Sequence, residues 1–323
     1  MTVHSYGKIK IWSNESVLLR TISASVTNLH GIELLPNGNI ITSDSMNGIT
    51  MTVWNVTTGL SVLTLQGHTS TVYPIELVDS DQTIASGSVD KTIRLWNIST
   101  GSLLSTINVS ANVYSLKVLP NGLLASGDSL KLVRLWTILS TSGNRSLSFF
   151  ANLTGHSGSV WSLELLSQNV LASGDDNKVV ILWNLLTLTR LTNLTMSAPI
   201  SSGVYALKAL SNSLLSLGLG DGKIHLWDIL TGSEAVLNEH TSAVNSLELL
   251  NEKTLLSVSS DSTLKQWILS ANGANASLML SLNTSYVIYV CKSFDQGDFN
   301  FNNKNKICLP GNQKHYRQSV SNG

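Results

Sequence analysis

Seven of the eight tryptophans in this 323-residue chain close the same short phrase. The phrases are KIKIW ending at Trp12, TMTVW at Trp54, TIRLW at Trp96, LVRLW at Trp136, VVILW at Trp183, KIHLW at Trp227 and TLKQW at Trp267, separated by 42, 42, 40, 47, 44 and 40 residues. Self-similarity at a period of this length marks a chain built by copying one supersecondary unit, which excludes most other architectures at the outset. Within each phrase apolar and polar residues alternate, or the phrase is wholly apolar. That is the period of a strand rather than a helix.

Three more phrases recur in each unit. Upstream of the tryptophan lies an apolar run ending in small residues: TIASGS, LLASGD, VLASGD, LLSLGL and LLSVSS. Further upstream lies HGIELL, VYPIELV, VYSLKVL, VWSLELL, VYALKAL or VNSLELL. After the tryptophan comes a turn such as NVTTG, NISTG or DILTG, then a last run such as LSVLTL. Each unit therefore reads as four short strands joined by tight turns. A lone four-stranded sheet has two faces to cover, and stacking several around an axis covers both.

The phrases QGHTSTV…ASGSVDKTIRLWN and TGHSGSV…LASGDDNKVVILWN resemble the WD40 repeat, and the resemblance extends over roughly residues 5–285. It implies an all-β, seven-bladed WD40-type β-propeller. It also implies a structural role for His68, Ser86, Asp90 and Trp96, a set that otherwise invites a search for a catalytic triad. In WD40 repeats these positions form a buried hydrogen-bond chain tying the outer turns to the tryptophan, and each member needs a partner once desolvated. The last unit repeats the set with His240, Ser257, Asp261 and Trp267. The unit ending at Trp183 has His156 and Ser173, with Asn177 where the aspartate is expected. The unit ending at Trp136 lacks the histidine and has Leu130 at the aspartate position. The unit ending at Trp227 keeps Asp221 but has Leu217 for the serine and no histidine.

The chain starts late in a repeat, so the missing inner strands of a seventh blade should come from the other terminus. VIYVCKSFDQGDFNFNNK aligns without gaps on VNSLELLNEKTLLSVSSD, placing Phe299 on Leu256 and Phe301 on Val258. This predicts closure by a clasp of strands from about 287–303 with strands from about 7–24. A closed ring leaves no open sheet edge. Residues 1–303 then form one propeller domain, and 304–323 read as a polar, disordered tail.

Charge and composition narrow the function. Lys plus Arg and Asp plus Glu are 20 each, and only 12% of residues are charged. Such a chain has no global field to draw it to nucleic acid or an anionic membrane, so neither is expected as a partner. No run approaches the ~18 apolar residues of a membrane span. The histidines and the two cysteines, Cys291 and Cys308, lack zinc spacing. No cofactor or metal is expected: the Asp79–Asp81 and Asp175–Asp176 clusters match no calcium loop, and the LGLGDG stretch joins two strands and offers no helix terminus to a phosphate. With no apolar leader in MTVHSYGKIKIW, a cytoplasmic protein is expected, and a Cys291–Cys308 bridge is expected only after export. Nine Asn-x-Ser/Thr sequons (Asn14, Asn55, Asn97, Asn108, Asn144, Asn152, Asn193, Asn275 and Asn283) follow from richness in Asn, Ser and Thr.

Two positions on the innermost strand stand out when the units are aligned. The fifth residue of the phrase runs Glu33, Glu76, Lys117, Glu164, Lys208, Glu248 and Cys291, alternating in sign from Glu76 to Glu248. This predicts a ring of charge around the channel. Three positions earlier stand His30, Tyr73, Tyr114, Trp161, Tyr205, Asn245 and Ile288. Aromatic side chains with a polar handle are enriched at binding hot spots, so His30, Tyr73, Tyr114, Trp161, Tyr205 and Asn245 are the candidate partner-binding face. The expected function is a non-catalytic scaffold for peptide or protein partners, monomeric within a larger complex. The alternatives are an extracellular, lectin-like propeller and a propeller enzyme.

Overall fold

The computed structural model describes residues 8–12, 18–24, 29–44, 49–79, 83–141, 144–191, 201–270, 276–283, 287–294 and 305–311. Those residues form seven four-stranded antiparallel sheets, the blades, and no helix. Blade one holds strands Leu29–Leu34, Ile40–Asp44, Thr50–Trp54 and Ser61–Gln66. Blade two holds Val72–Leu77, Thr83–Ser88, Thr92–Asn97 and Leu103–Asn108; blade three holds Val113–Val118, Leu123–Asp128, Leu132–Thr141 and Asn144–Thr154. Blade four holds Val160–Ser167, Val170–Asp175, Val180–Asn184 and Thr189–Arg190; blade five holds Val204–Ala209, Leu214–Leu219, Ile224–Asp228 and Glu234–Leu237. Blade six holds Val244–Asn251, Thr254–Ser259, Thr263–Leu269 and Ala276–Asn283.

The first strand of each blade packs beside the first strand of the next, and this succession returns to its start, so these strands ring a central axis. Blade seven joins the two ends of the chain, in the order Leu18–Ser23, Lys8–Trp12, Asn305–Gly311, Val287–Phe294. Lys10, Ile11 and Trp12 are in register with Cys308, Ile307 and Lys306, and Cys291 is in register with Cys308. The second strand of this blade is therefore Asn305–Gly311, not a segment around Phe299 and Phe301. It lies inside the stretch expected to be tail. The gapless alignment assumed the two-residue turn of blade six, between Asn251 and Thr254, whereas ten residues separate the two strands here. Phe299, Phe301 and residues 312–323 lie outside the described residues.

Core residues sit between blades rather than within them. Leu35, Ile41, Met51, Val53 and Leu65 of blade one pack against Val72, Ile75, Ile84, Trp96 and Ile98 of blade two. The same sandwich recurs at the next boundaries. The second strands of blades two, three, five and six are buried along their whole length, because both faces meet a neighbour. The glycine that recurs at one position of the second strand in blades two to five has a steric cause. A Cβ on Gly87, Gly127, Gly174 or Gly218 would lie 2.5–2.8 Å from Cγ1 of Val113, Val160, Val204 or Val244, the first residue of the next blade's inner strand. Each valine thus fills the space that a glycine leaves open.

Candidate functional site: the channel and its aromatic mouth

The hydrogen-bond chains are complete in three blades. In blade two, Trp96 Nε1 donates to Ser86 Oγ at 2.8 Å, Ser86 Oγ lies 2.8 Å from His68 Nε2, and His68 Nδ1 lies 2.8 Å from Asp90 Oδ2. The proton positions follow from valence. The indole can only donate and the carboxylate can only accept, so the histidine donates from Nδ1 and the serine hydroxyl donates to Nε2. His240, Ser257, Asp261 and Trp267 repeat this at 2.7–2.8 Å in blade six. Burial alone would raise the carboxyls of Asp90 and Asp261, but hydrogen bonds from the histidine, a threonine hydroxyl and a backbone N–H hold both well below the ordinary range. Ser86, Ser173 and Ser257 are fully buried beneath the tryptophans, so none of these hydroxyls can reach a substrate.

Blade four completes its chain differently from the expectation. Trp183 and His156 meet Ser173 at 2.7 and 2.5 Å, but His156 Nδ1 turns to Asp175, 3.0 Å away, not to Asn177. Asp175 also accepts from the backbone N–H groups of Ser157, Gly158 and Val179, which reproduces from the end of the strand what Asp90 does from the turn. Asn177 is exposed and donates to the Ser157 carbonyl. In blade three, Trp136 still donates to Ser126, while Asp128 at the position of Asp175 takes Arg134 Nε at 2.6 Å. In blade five, Leu217 leaves Trp227 Nε1 buried without a hydrogen-bond partner, and His225 Nδ1 pairs with Glu234. Asp221 bonds Ser201 and Lys223 instead of a histidine.

The alternating charges come together as an arc. Lys117 Nζ lies 2.9 Å from Glu164 Oε2, and Lys208 Nζ lies 3.8 Å from Glu164 Oε1 and 3.1 Å from Glu248 Oε2. Glu76 accepts from the Val118 N–H and Glu164 from the Ala209 N–H, so each carboxylate also reaches the next blade's backbone. Burial pushes the Glu164 carboxyl up, but the two lysine ammoniums and these hydrogen bonds outweigh it and hold the group below its ordinary value. Glu33 lies on the inner strand of blade one. The side chain of Cys291 lies outside the described residues.

Three residues back along each inner strand, roughly 10 Å nearer one end of the channel, the second aligned position forms a single site. His30, Tyr73, Tyr114, Trp161, Tyr205 and Asn245 line one cavity of about 480 Å³, with Ala243, which the alignment did not single out. All six are half-buried. Trp161 and Tyr114 stack with centroids 4.0 Å apart and planes at 8°. Tyr73 and Tyr205 meet Trp161 edge-on at 5.9 and 5.7 Å, and His30 meets Tyr73 at 4.9 Å. The Tyr73–Trp161 contact joins blades two and four past blade three, so the rings reach over the channel rather than only into a blade boundary. Trp161 Nε1 donates to Asp176 at 3.4 Å in the turn between the second and third strands, which marks the face that carries this cavity. Burial lowers the pKa of His30 and favours its neutral form. Among the described residues no cluster of three His, Cys, Asp or Glu could hold a metal ion.

Several sequons have a local structural use. Asn55 Oδ1 accepts from the Thr58 N–H, and Asn97 Oδ1 from the N–H groups of Ser99 and Thr100. Asn184 and Asp228 cap the corresponding turns of blades four and five. An Asn or Asp opening a turn before Ser or Thr is turn chemistry, and it generates the sequon spelling.

The family described as "WD domain, G-beta repeat" matches residues 59–97, 147–184 and 232–267. These are the units whose Trp–Ser–His–Asp chains are complete. Periodic tryptophan protein 2 homolog of Schizosaccharomyces pombe is 34% identical over 27% of this chain and 10% of its own length. Autophagy-related protein 16 of Arabidopsis thaliana is 27% identical over 46% of this chain and 28% of its own. The chain thus spans less than a third of either relative. Among solved structures, U3-55K superposes with a TM-score of 0.75 at 16% identity, covering 94% of this chain and 98% of that one. The WD40 repeats of RRP9 give 0.75 at 16%, covering 98% and 100%. These likenesses show the fold.

Proposed function

We propose that this WD40-repeat propeller is a non-catalytic platform that holds a partner protein at the aromatic mouth of its channel. One observation carries the reading: six blades contribute the same strand position to one cavity, and four of those six side chains are Tyr or Trp. Large, half-buried aromatic rings give much contact area for little lost side-chain freedom. WD40 propellers are generally non-catalytic interaction modules, and the buried serines of the hydrogen-bond chains agree with that. Relatives include a subunit of a eukaryotic translation initiation factor from Aspergillus niger, which supports a working place inside a larger intracellular assembly.

The test is an affinity capture with mass spectrometry that compares the wild-type chain with a Tyr73→Ala/Trp161→Ala/Tyr205→Ala variant shown folded by circular dichroism. Partners lost from the variant alone support the reading. An identical partner set overturns it and moves the search to the opposite face or the outer strands.

A further inference from the structure

Trp161 stands among rings set nearly at right angles to it. Tyr73 and Tyr205 meet it at interplanar angles of 77° and 84°, and Tyr73 meets Tyr114 at 69° with centroids 5.8 Å apart. Perpendicular rings form corners, and a group seated in a corner touches the negative face of at least one ring. A wall of this kind attracts cations. Trp161 also donates its indole N–H to the Asp176 carboxylate. That bond sets a negative charge at the edge of the ring and polarises the indole toward a more electron-rich face.

The surrounding charge favours the same sign of ligand. The ring below the mouth holds four glutamates, Glu33, Glu76, Glu164 and Glu248, against two lysines, Lys117 and Lys208. Lys117 pairs with Glu164 and Lys208 with Glu248, while Glu76 bonds the neutral Val118 N–H. A channel with low-dielectric walls focuses such an excess of negative charge toward its mouth. The turns around the mouth do not oppose it. Their lysines, Lys91, Lys131 and Lys178, are matched in number by Asp90, Asp175 and Asp176, whose hydrogen-bond partners are neutral. Asp128 is paired with Arg134, and Lys223 with Asp221. Burial favours the neutral form of His30, so the cavity wall adds no repulsion.

The lining decides which cation fits. It contains no carboxylate, and the Asn245 amide is tied to Ser260. An ordinary lysine ammonium or an arginine brings several N–H groups, each of which needs an acceptor once it leaves water. A trimethylated ammonium keeps the charge and has no N–H to satisfy. We propose that the aromatic mouth takes the quaternary ammonium of a trimethylated lysine on a partner protein. The methyl groups pack against Tyr73, Trp161 and Tyr205, and the charge meets the ring faces above the acid-rich channel. This rests on reading the aromatic mouth as the docking site.

Immobilised random peptide libraries test this. They differ only in a fixed central residue: trimethyl-lysine, its neutral isostere with carbon in place of the charged nitrogen, or unmodified lysine. Each is assayed for retention of the folded wild type and of a Tyr73→Leu/Trp161→Leu variant. The trimethyl-lysine library should retain the wild type at least about tenfold more strongly than the other two, and the variant should lose that preference. The comparison with the carbon isostere needs only the wild type, so it holds if the variant fails to fold. Equal retention by the charged and neutral libraries overturns the cation; if the variant then loses both, the docking face itself stands. Stronger retention by unmodified lysine overturns the methylated group. A preference that survives the leucine substitutions overturns the aromatic mouth as its site. No retention by any library overturns the quaternary ammonium and leaves the docking face to the affinity capture. Stronger retention by immobilised phosphocholine than by any library overturns the protein partner in favour of a lipid headgroup.

Discussion

The Lys117 ammonium stands 2.9 Å from Oε2 of Glu164, across the boundary between blades three and four. The Glu164 side chain is only 10% exposed, and Lys208 approaches its other oxygen from blade five. One carboxylate therefore ties three blades together at the axis. Removing its charge while keeping its shape, as in Glu164→Gln, leaves two partly buried ammoniums facing an amide. The expected loss is about 1–3 kcal/mol in urea unfolding at neutral pH. The pH dependence has a definite sign. The folded pKa is held below its ordinary 4.5, so the contribution is complete above that value and is lost as pH falls through the folded pKa. Wild type and variant should converge in acid. A constant gap down to the lowest pH would mean that packing, not charge, made the difference.

Asp175, not Asn177, completes the hydrogen-bond chain of blade four. Asp175→Ala should remove the acceptor for His156 and three backbone N–H groups at once, costing about 2–4 kcal/mol. Asn177→Ala, at an exposed position, should cost about 0.5 kcal/mol or less. Equal losses in chemical denaturation, or the reverse order, would return the role to the turn.

Residue pattern made the fold legible because the period-two alternation and the tryptophan spacing are local in the chain, and a sheet needs little else to declare itself. The aromatic cavity was also legible, since one strand position copied around a ring must converge on the axis. Two features were not. The carboxylate of blade four moved two residues upstream, and alignment by column cannot see that Asp175 and the expected turn position reach the same imidazole. The second clasp strand moved from Phe299 and Phe301 to Asn305–Gly311 because turn length is set by the chain between strands, on which a gapless comparison is silent. The three units matched by the family are those with a whole Trp–Ser–His–Asp chain; blade three keeps Trp136 on Ser126 but sets Arg134 on Asp128 where the others have a histidine, and blade five has Leu217 in place of the serine.

Gly174 and Val204 test how closely the blades are fitted. A methyl on Gly174 would sit 2.6 Å from Val204 Cγ1 and 2.7 Å from Ser162 Oγ. Gly174→Ala should destabilise by about 1–3 kcal/mol, as overpacking does. Val204→Ala removes the opposing methyl groups, so the double variant should be more stable than the sum of the two single losses by about 0.5–3 kcal/mol. Simple additivity would mean that the neighbouring blade yields elsewhere.

The register of the clasp can be read by chemistry at Cys291 and Cys308. These are the chain's two cysteines and they stand opposite each other on adjacent antiparallel strands. Opposed Cα atoms in such a pair are about 4.5–5.5 Å apart, inside the roughly 4.4–6.8 Å that a disulfide spans. Incubating the folded protein with oxidised glutathione should therefore link the two residues within one chain. The two thiols give up two protons and two electrons, and the glutathione disulfide is reduced to two thiols. Peptide mapping without reductant should show Cys291 joined to Cys308, and the linked protein should unfold at higher denaturant, because a loop of about 15 residues closed by a bridge is worth about 3 kcal/mol. A second strand built around Phe299 and Phe301 would carry Cys308 past the end of the pairing. Mixed disulfides with glutathione at both positions, and no internal bridge, would then be the result, and the clasp would have to be redrawn.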